Sequence, residues 1–599
     1  MKALKYINKY FFKYKWRLLL GFAFVIISNL FAIYPAQIVR NVIDLISKTQ
    51  KEHLNTKPED LMGLIEKDLF YFFLTLIAFA ILKGIFLFFM RQTIIVMSRL
   101  IERDLKNEIF EHYQVLSLSF YRRNNTGDLM NRISEDVSRV RMYIGPSIMY
   151  TINLIAMFIM VISKMLIVNV PLTLYVLAPL PIMAIAIYYV SNIINKQSEV
   201  VQEQQSTLTT FVQEAFSGIR VLKSFVREEQ SAADFEVENT NYKKKSIRLA
   251  TINALFFPLI LILIGLSTLL TIYIGGIDTM KGNITYGNIA EFIIYINMLT
   301  WPFAAVGWIT ALVNRAAASQ QRINEFLNTT SEILTPMGGI KEIKGEIMFD
   351  DVSFTYPDSG IKALNNVSFR VDEGHSLAIL GRTGSGKSTV ANLLSRMYDT
   401  TGGRVLIGGH DIRLLDLGKL RSEIGVVPQD VFLFSDTIAN NIAFGLMDPL
   451  DTNNHTNNNQ TVIEKAAKDA AIYSNIIEFP EGFNTKIGER GITLSGGQKQ
   501  RISIARAIIK RPKILIFDDC LSAVDTQTEE EILNNLKEIM HNRTTVIISH
   551  RVSSVKNADH IIFLENGTIV EEGTHFELLI KKGYYFNLYE KQLLEEEEV

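Results

Sequence analysis

Apolar residues fill long runs in the first 315 positions, and six of these runs can each cross a hydrocarbon core, which takes about 20 helical residues. They lie near 17–40, 69–92, 142–167, 169–193, 249–276 and 285–313. A tight "IVNVP" turn at 167–171 joins the third to the fourth. The connections from the second run to the third, and from the fourth to the fifth, are long, polar and helical in pattern. Ahead of the first run, Leu4, Ile7, Tyr10, Phe11 and Tyr14 recur at helical spacing between lysines. The spacing predicts an amphipathic helix over 1–16 lying on the inner membrane surface. This basic, aromatic stretch lacks the apolar core and cleavage site of a secretory signal.

The pattern changes beyond the sixth run. The stretch 326–343, with Pro336 and a Gly pair, predicts a linker after a membrane domain over 17–325. From 344 to 585 short β-rich runs ("EIMFDDVSFTY", "HSLAIL", "KILIFDD", "TTVIISH", "HIIFLENG") alternate with helical patterns, which predicts an α/β domain. The Asn-rich insert 449–460 predicts a solvent loop, and 586–599 an acidic, solvated tail.

Charge adds orientation. Lys and Arg concentrate in the connections 91–141 and 194–248, whereas the loops near 168 and 276–284 hold only Lys281 between them. The loop 48–68 departs from this with four lysines offset by acids. The bias puts both termini and the α/β domain on the cytoplasmic side of the inner (plasma) membrane. A net charge of −1 argues against bulk nucleic-acid binding, and a single cysteine, Cys520, excludes an intrachain disulfide framework.

The chemistry begins at "GRTGSGKST", Gly381, Arg382, Thr383, Gly384, Ser385, Gly386, Lys387, Ser388 and Thr389. It follows a strand pattern and opens a helical one, the context of a phosphate-binding loop. Its glycines let backbone N–H groups curl around phosphate oxygens, Lys387 reaches the β- and γ-phosphates of ATP, and the Ser388 hydroxyl ligates Mg2+. Asp518, ending the run "ILIFD", supplies the acid for that magnesium. Tyr356 lies about 25 residues upstream of the loop, placed to stack on adenine. "LSGGQ", with Ser495, Gly496, Gly497 and Gln498, opens a second helical pattern and makes a second anion-binding nest. Two such devices far apart in one chain make sense if each grips a different ATP and a second chain supplies the complement. The fold class is therefore a multidomain membrane protein, a six-helix transmembrane domain followed by an α/β P-loop nucleotide-binding domain.

The order of phosphate loop, Gln429 in "VVPQD", "LSGGQ", "ILIFDD", "SAVD" and His550 in "IISHR" resembles that of ATP-binding cassette proteins. With six preceding helices, the chain is similar to half-size ABC exporters of the bacterial multidrug and lipid type. The stretches 119–137 and 214–225 resemble the family's two intracellular loops, whose coupling helices dock on the ATPase domains. The resemblance implies two head-to-tail ATPase domains enclosing two ATPs, each site pairing one chain's phosphate loop with the other's "LSGGQ". It implies that Gln429 senses γ-phosphate and magnesium, that His550 contacts γ-phosphate, that Asp525 closes a loop across the dimer, and that Glu489 touches the partner's membrane half. It implies alternating access driven by ATP.

Asp519 departs from the family pattern, in which the acid after Asp518 is usually glutamate and polarises the attacking water. Aspartate is one methylene shorter, and a misplacement of about 1 Å can cost on the order of 10²-fold in rate. In the family this aspartate marks the degenerate subunit of a heterodimer. The intact "LSGGQ" fits that reading. The unaltered Gln429 and His550 leave room for a homodimer with two slow sites.

On cargo the sequence is sparse. Phe- and Met-rich helices suit an amphipathic small molecule or a lipid. Lys83, inside the second run, reads either as a cavity-facing ionisable group or as a snorkelling one. Asn29, Asn153, Asn253 and Asn297 read as interhelical hydrogen-bonding positions.

Overall fold

The computed structural model describes residues 2–52, 58–336, 338–446, 457–488, 494–520 and 526–597. The chain divides into two compact units, Met1–Tyr113 with Gly127–Thr329, and Gln114–Thr126 with Thr330–Val599.

Six long apolar helices build the first unit: α1 (Lys15–Glu52), α2 (Pro58–Val115), α3 (Thr126–Val168), α4 (Val170–Ser217), α5 (Glu228–Met280) and α6 (Tyr286–Leu327). Between α3 and α4 only Asn169 is non-helical, and its side chain caps α4 by accepting from the Leu172 N–H at 2.8 Å. Two π turns, Arg132–Asp136 and Tyr143–Ser147, interrupt α3. Apolar burial between helices is supplemented by polar ties. The Asn29 amide donates to the Asn153 carbonyl at 3.4 Å, and Arg40 on α1 pairs at 3.2 Å with Glu291 on α6. Glu291 is fully buried, and the Tyr295 hydroxyl donates to it at 2.8 Å. Such pairing is what keeps an ionised group tolerable away from water. Lys83 stands exposed on α2.

The segment preceding α1 is helical, as a 3₁₀ turn Lys2–Ile7 and an α-helix Asn8–Lys13. The face expected on the membrane surface instead packs on protein. Leu4, Ile7 and Tyr10 are buried, Asn324 of α6 donates to the Ala3 carbonyl at 3.0 Å, and Tyr6 and Lys9 both reach Glu108 of α2 at 2.5 Å. Phe12 and Trp16 are the exposed apolar residues there.

The second unit carries two sheets. One is antiparallel, with β1 (Ile347–Thr355), β2 (Lys362–Val371), β4 (Gly402–Ile407) and β5 (His410–Asp411) in the order β2-β1-β4-β5. The other runs β10-β9-β3-β8-β7-β6, from β3 (Ser376–Gly381), β6 (Ile424–Val427), β7 (Ile514–Asp518), β8 (Thr544–Ile548), β9 (His560–Glu565) and β10 (Thr568–Gly573). It is parallel except for β10. Strands β7 and β8 are buried throughout, which is why β7 reads as an apolar run up to Asp518 and β8 as a β-branched one, with Thr544 and Thr545 buried beside Val546, Ile547 and Ile548. In this order β8 sits between β3 and β7, with Ile379 and Asp518 both in register with Ile548. Three strand ends, far apart in sequence, therefore open on one edge of the sheet.

Two boundaries differ from expectation. The stretch predicted as a linker is partly built in: Ile340 bridges to Leu415, and Ile343 is buried in the core. Nor is the C-terminal stretch wholly a solvated tail. Helix Tyr584–Glu597 runs through it, and within 586–599 Leu588 and Tyr589 pack against the core beside the buried Tyr585 of the domain. Within the insert 449–460, the described residues from Asn457 onward form the start of helix Asn457–Asp469.

Candidate functional site

The phosphate loop bridges β3 and the helix α7 (Lys387–Leu394). At two of its glycines a side chain has no room. Gly386 has φ +102°, and a Cβ there would meet the Ala363 carbonyl at 2.4 Å. At Gly381 a Cβ would meet the Leu564 carbonyl oxygen at 2.2 Å. Both backbones can curl only because nothing projects from them. The Lys387 ammonium donates to the carbonyls of Gly381 and Arg382 at 2.7 and 2.8 Å. Burial lowers its pKa, opposed by the charges of Asp519 and Asp518. The Ser388 hydroxyl donates to Asp518 Oδ1 at 3.0 Å, so the two residues expected to serve magnesium are in contact. Burial is the largest influence on Asp518 and pushes its carboxyl above the ordinary range, with the Ser388 hydrogen bond opposing and Asp519 adding to the rise. Ser385 Oγ is buried and has no hydrogen-bond partner among the described residues.

Asp519 sits just past β7 with φ +47°, a left-handed conformation that aspartate adopts more readily than most side chains. Its N–H donates to the Ile548 carbonyl at 2.9 Å, which ties it to the end of β8. Its two carboxylate oxygens face two different neighbours. Gln429 Nε2 donates to Oδ2 at 3.3 Å, and His550 Nδ1 lies 2.7 Å from Oδ1. With the carboxylate as acceptor, that imidazole nitrogen carries the proton. The structure thus brings all three residues expected to be catalytic onto one carboxylate.

These groups line a cleft of about 660 Å3 with Thr383, Gly384, Gly386, Lys387, Ser388, Thr389 and Asp518, a volume typical of small-molecule sites. Tyr356 lines it too, with its hydroxyl 3.0 Å from Thr389 Oγ1 and its ring edge-on to Phe354 and Tyr398. Gly381, Arg382 and Ser385 belong to the loop but not to the cleft wall.

Sequence reasoning missed Arg122. The short helix Leu118–Arg123 packs within the second unit, where Ser119 and Arg123 hold Glu332 at 2.5 and 2.9 Å. From it the Arg122 guanidinium lies 5.1 Å from the Tyr356 ring centroid and 3.4 Å from the Tyr398 hydroxyl, at the cleft wall. The only sequence signal was an arginine pair after aromatics in "SFYRR".

"LSGGQ" is elsewhere on the unit. Ser495 caps helix α8 (Gly496–Ile508) in a reciprocal capping box, its hydroxyl accepting from the Gln498 N–H at 3.2 Å while Gln498 Oε1 accepts from the Ser495 N–H at 3.0 Å. Ser495, Gly496, Gly497 and Gln498 do not line the Lys387 cleft. Asp525 and Glu489 lie outside the described residues. The Cys520 thiol is buried in the apolar core, in the role of a small packed residue.

Comparison with known proteins agrees with this layout. Residues 18–303 match the family model "ABC transporter transmembrane region", and residues 364–522 match "ABC transporter". The chain is 34% identical over 590 residues to the probable multidrug resistance ABC transporter ATP-binding/permease protein YheI of Bacillus subtilis, covering 98% of this chain and 97% of that protein. It is 35% identical over 590 residues to the multidrug resistance-like ATP-binding protein MdlA of Escherichia coli, covering 98% and 96%. Among solved structures, a bacterial Atm1-family ABC exporter with ATP bound matches with TM-score 0.77 at 25% identity, over 96% of this chain and 99% of that one. Six long apolar helices, a phosphate loop in a parallel sheet and these full-length likenesses lead to one conclusion: the chain belongs to the ABC transporter family, as a half-size exporter of the multidrug-resistance-like group.

Proposed function

We propose that this chain exports an amphipathic small molecule or lipid across the inner membrane by alternating access, as one half of a dimer. The observation that carries the reading is the division of labour on the second unit. Lys387, Ser388, Asp518, Asp519, Gln429 and His550 share one cleft, whereas the capped "LSGGQ" helix end is absent from its walls. A second half-transporter supplying its own "LSGGQ" would complete the ATP site, and this chain would return the service.

Within the cleft, the phosphate loop and Lys387 hold the phosphates, and Tyr356 takes the adenine. The touching hydroxyl and carboxylate of Ser388 and Asp518 are hard oxygen donors suited to Mg2+. The described residues hold no cluster of three or more His, Cys, Asp or Glu that could bind a metal. Magnesium here would therefore take its other ligands from phosphate and water, as it commonly does. Asp519 orients the attacking water, with Gln429 and His550 fixing its carboxylate. Its short reach favours a heterodimer in which the partner brings the stronger acid. Both termini and the ATPase domain face the cytoplasm, following the Lys/Arg bias.

The test is Mg2+-dependent ATPase activity and dye transport by the chain in proteoliposomes, alone and with candidate partner half-transporters, beside a Lys387→Ala variant. Activity that requires Lys387 and rises with a partner supports the reading. ATP binding without turnover in any pairing would make the chain a regulatory subunit instead.

A further inference from the structure

A second cleft, of about 690 Å3, lies within the first unit, between α2, the π turn Tyr143–Ser147 with the residues that follow it, and α6. Phe88, Ile95, Met142 and Met149 line it, and Tyr150 meets Trp308 edge-on with ring centroids 5.5 Å apart. Thioethers and aromatic edges make an adaptable apolar wall. Pro146 enters the wall from the π turn, a break in helical geometry that recurs at functional sites.

The polar part of the lining is adjacent on α2, at Arg91 and Gln92. Neighbouring basic residues are neutralised by acids: Arg99 and Lys106 by Glu102, Arg103 by Asp104, Arg139 by Glu135. Arg91 has no ion-pair partner among the described residues. A permanently charged guanidinium at the end of an apolar span, facing a cleft otherwise made of hydrocarbon, sulfur and rings, is complementary to an anion with an apolar body.

We propose that this cleft binds a singly charged anionic amphiphile, its acyl or aromatic body against Met142, Met149 and Trp308 and its negative group on Arg91. In the orientation proposed above, the site opens at the inner leaflet. The inference rests on the export reading only for the claim that the bound amphiphile is cargo.

The test uses the full chain in phosphatidylcholine nanodiscs, titrated with a dansyl-labelled fatty acid and, separately, its uncharged methyl ester, with emission excited through tryptophan. Losing a charge-assisted hydrogen bond costs about tenfold in affinity, so the acid should bind about that much more tightly than the ester. Arg91→Gln should remove the difference while sparing the ester, and Trp308→Phe should cut energy transfer by more than it cuts the directly excited signal. Phosphatidylglycerol added to the disc identifies the source: displacement of the probe means that a bilayer lipid is the natural occupant, and no displacement means a free amphiphile. Either result supports the site. Equal binding of acid and ester, or an Arg91→Gln variant with undiminished preference for the acid, overturns it. Arg91-dependent binding without stimulated ATPase or transport would keep the site and remove its role as a cargo site.

Discussion

Gln592 grips the main chain on both sides of Arg551: its amide donates to the His550 carbonyl and accepts from the Val552 N–H, each at 2.8 Å. The C-terminal helix thereby braces the turn from which His550 reaches Asp519. Gln592→Ala removes two hydrogen bonds of about 0.5–1.5 kcal/mol each. We expect kcat for ATP hydrolysis to fall several-fold, with KM for ATP little changed, because the phosphate loop is untouched. Steady-state ATPase kinetics check this, and an unchanged melting temperature of the variant separates a displaced His550 from a loss of folded protein.

Asp519→Glu lengthens the acid between Gln429 and His550. Glutamate fits the left-handed backbone at this position less readily, a cost of about 1 kcal/mol. The gain in reach is worth on the order of tenfold to a hundredfold in rate if water is now held in line. Turnover of the chain alone should rise accordingly. An unchanged or lower rate would show that aspartate already serves as the catalytic acid here.

Arg122→Ala uncovers the Tyr356 ring. A half-desolvated cation–π contact contributes about 0.5–2 kcal/mol. The expected outcome is a KM for ATP altered by a few-fold to tenfold with kcat retained, and a smaller effect on binding of inorganic tripolyphosphate, which has no base. Equal effects on both ligands would assign Arg122 to general charge attraction.

Asp518 yields a pH prediction. Burial raises its folded pKa above the unfolded value, so between those two values the folded state holds more protons than the unfolded one. Its contribution to stability therefore falls as pH rises through that window, and the cost is fully present above it. Asp518→Asn should raise the melting temperature of the chain at neutral pH, shrink that difference towards acidic pH, and abolish Mg2+-dependent hydrolysis. Melting curves across the acidic range read the sign directly.

Much of this molecule is legible in sequence because some positions admit few alternatives. Gly386 and Gly381 must lack side chains, β7 and β8 are buried on both faces, and long apolar runs far exceed the length of a core helix. What escaped depends on partners distant in the chain. An amphipathic period over Leu4, Ile7 and Tyr10 declares an apolar face but not whether lipid or α2 and α6 cover it. The run of acids at the C-terminus masks the apolar spacing of Leu588 and Tyr589 just before it. Arg122 and Tyr398 are separated by 276 residues, and Gln592 and His550 by 42, so only the fold brings them together.

The central position of β8 gives the nucleotide site a tolerance of its own. Ser388 and Asp518 lie 130 residues apart, yet their distance is set by the register of one short strand against its two neighbours. Loops between them can therefore lengthen, shorten or diversify without moving Ser388 from Asp518. A single-residue slip of β8 would take Ile548 out of register with Ile379 and Asp518 and misalign the strand ends that carry the site. The spacing of the site thus depends on a strand of only five residues.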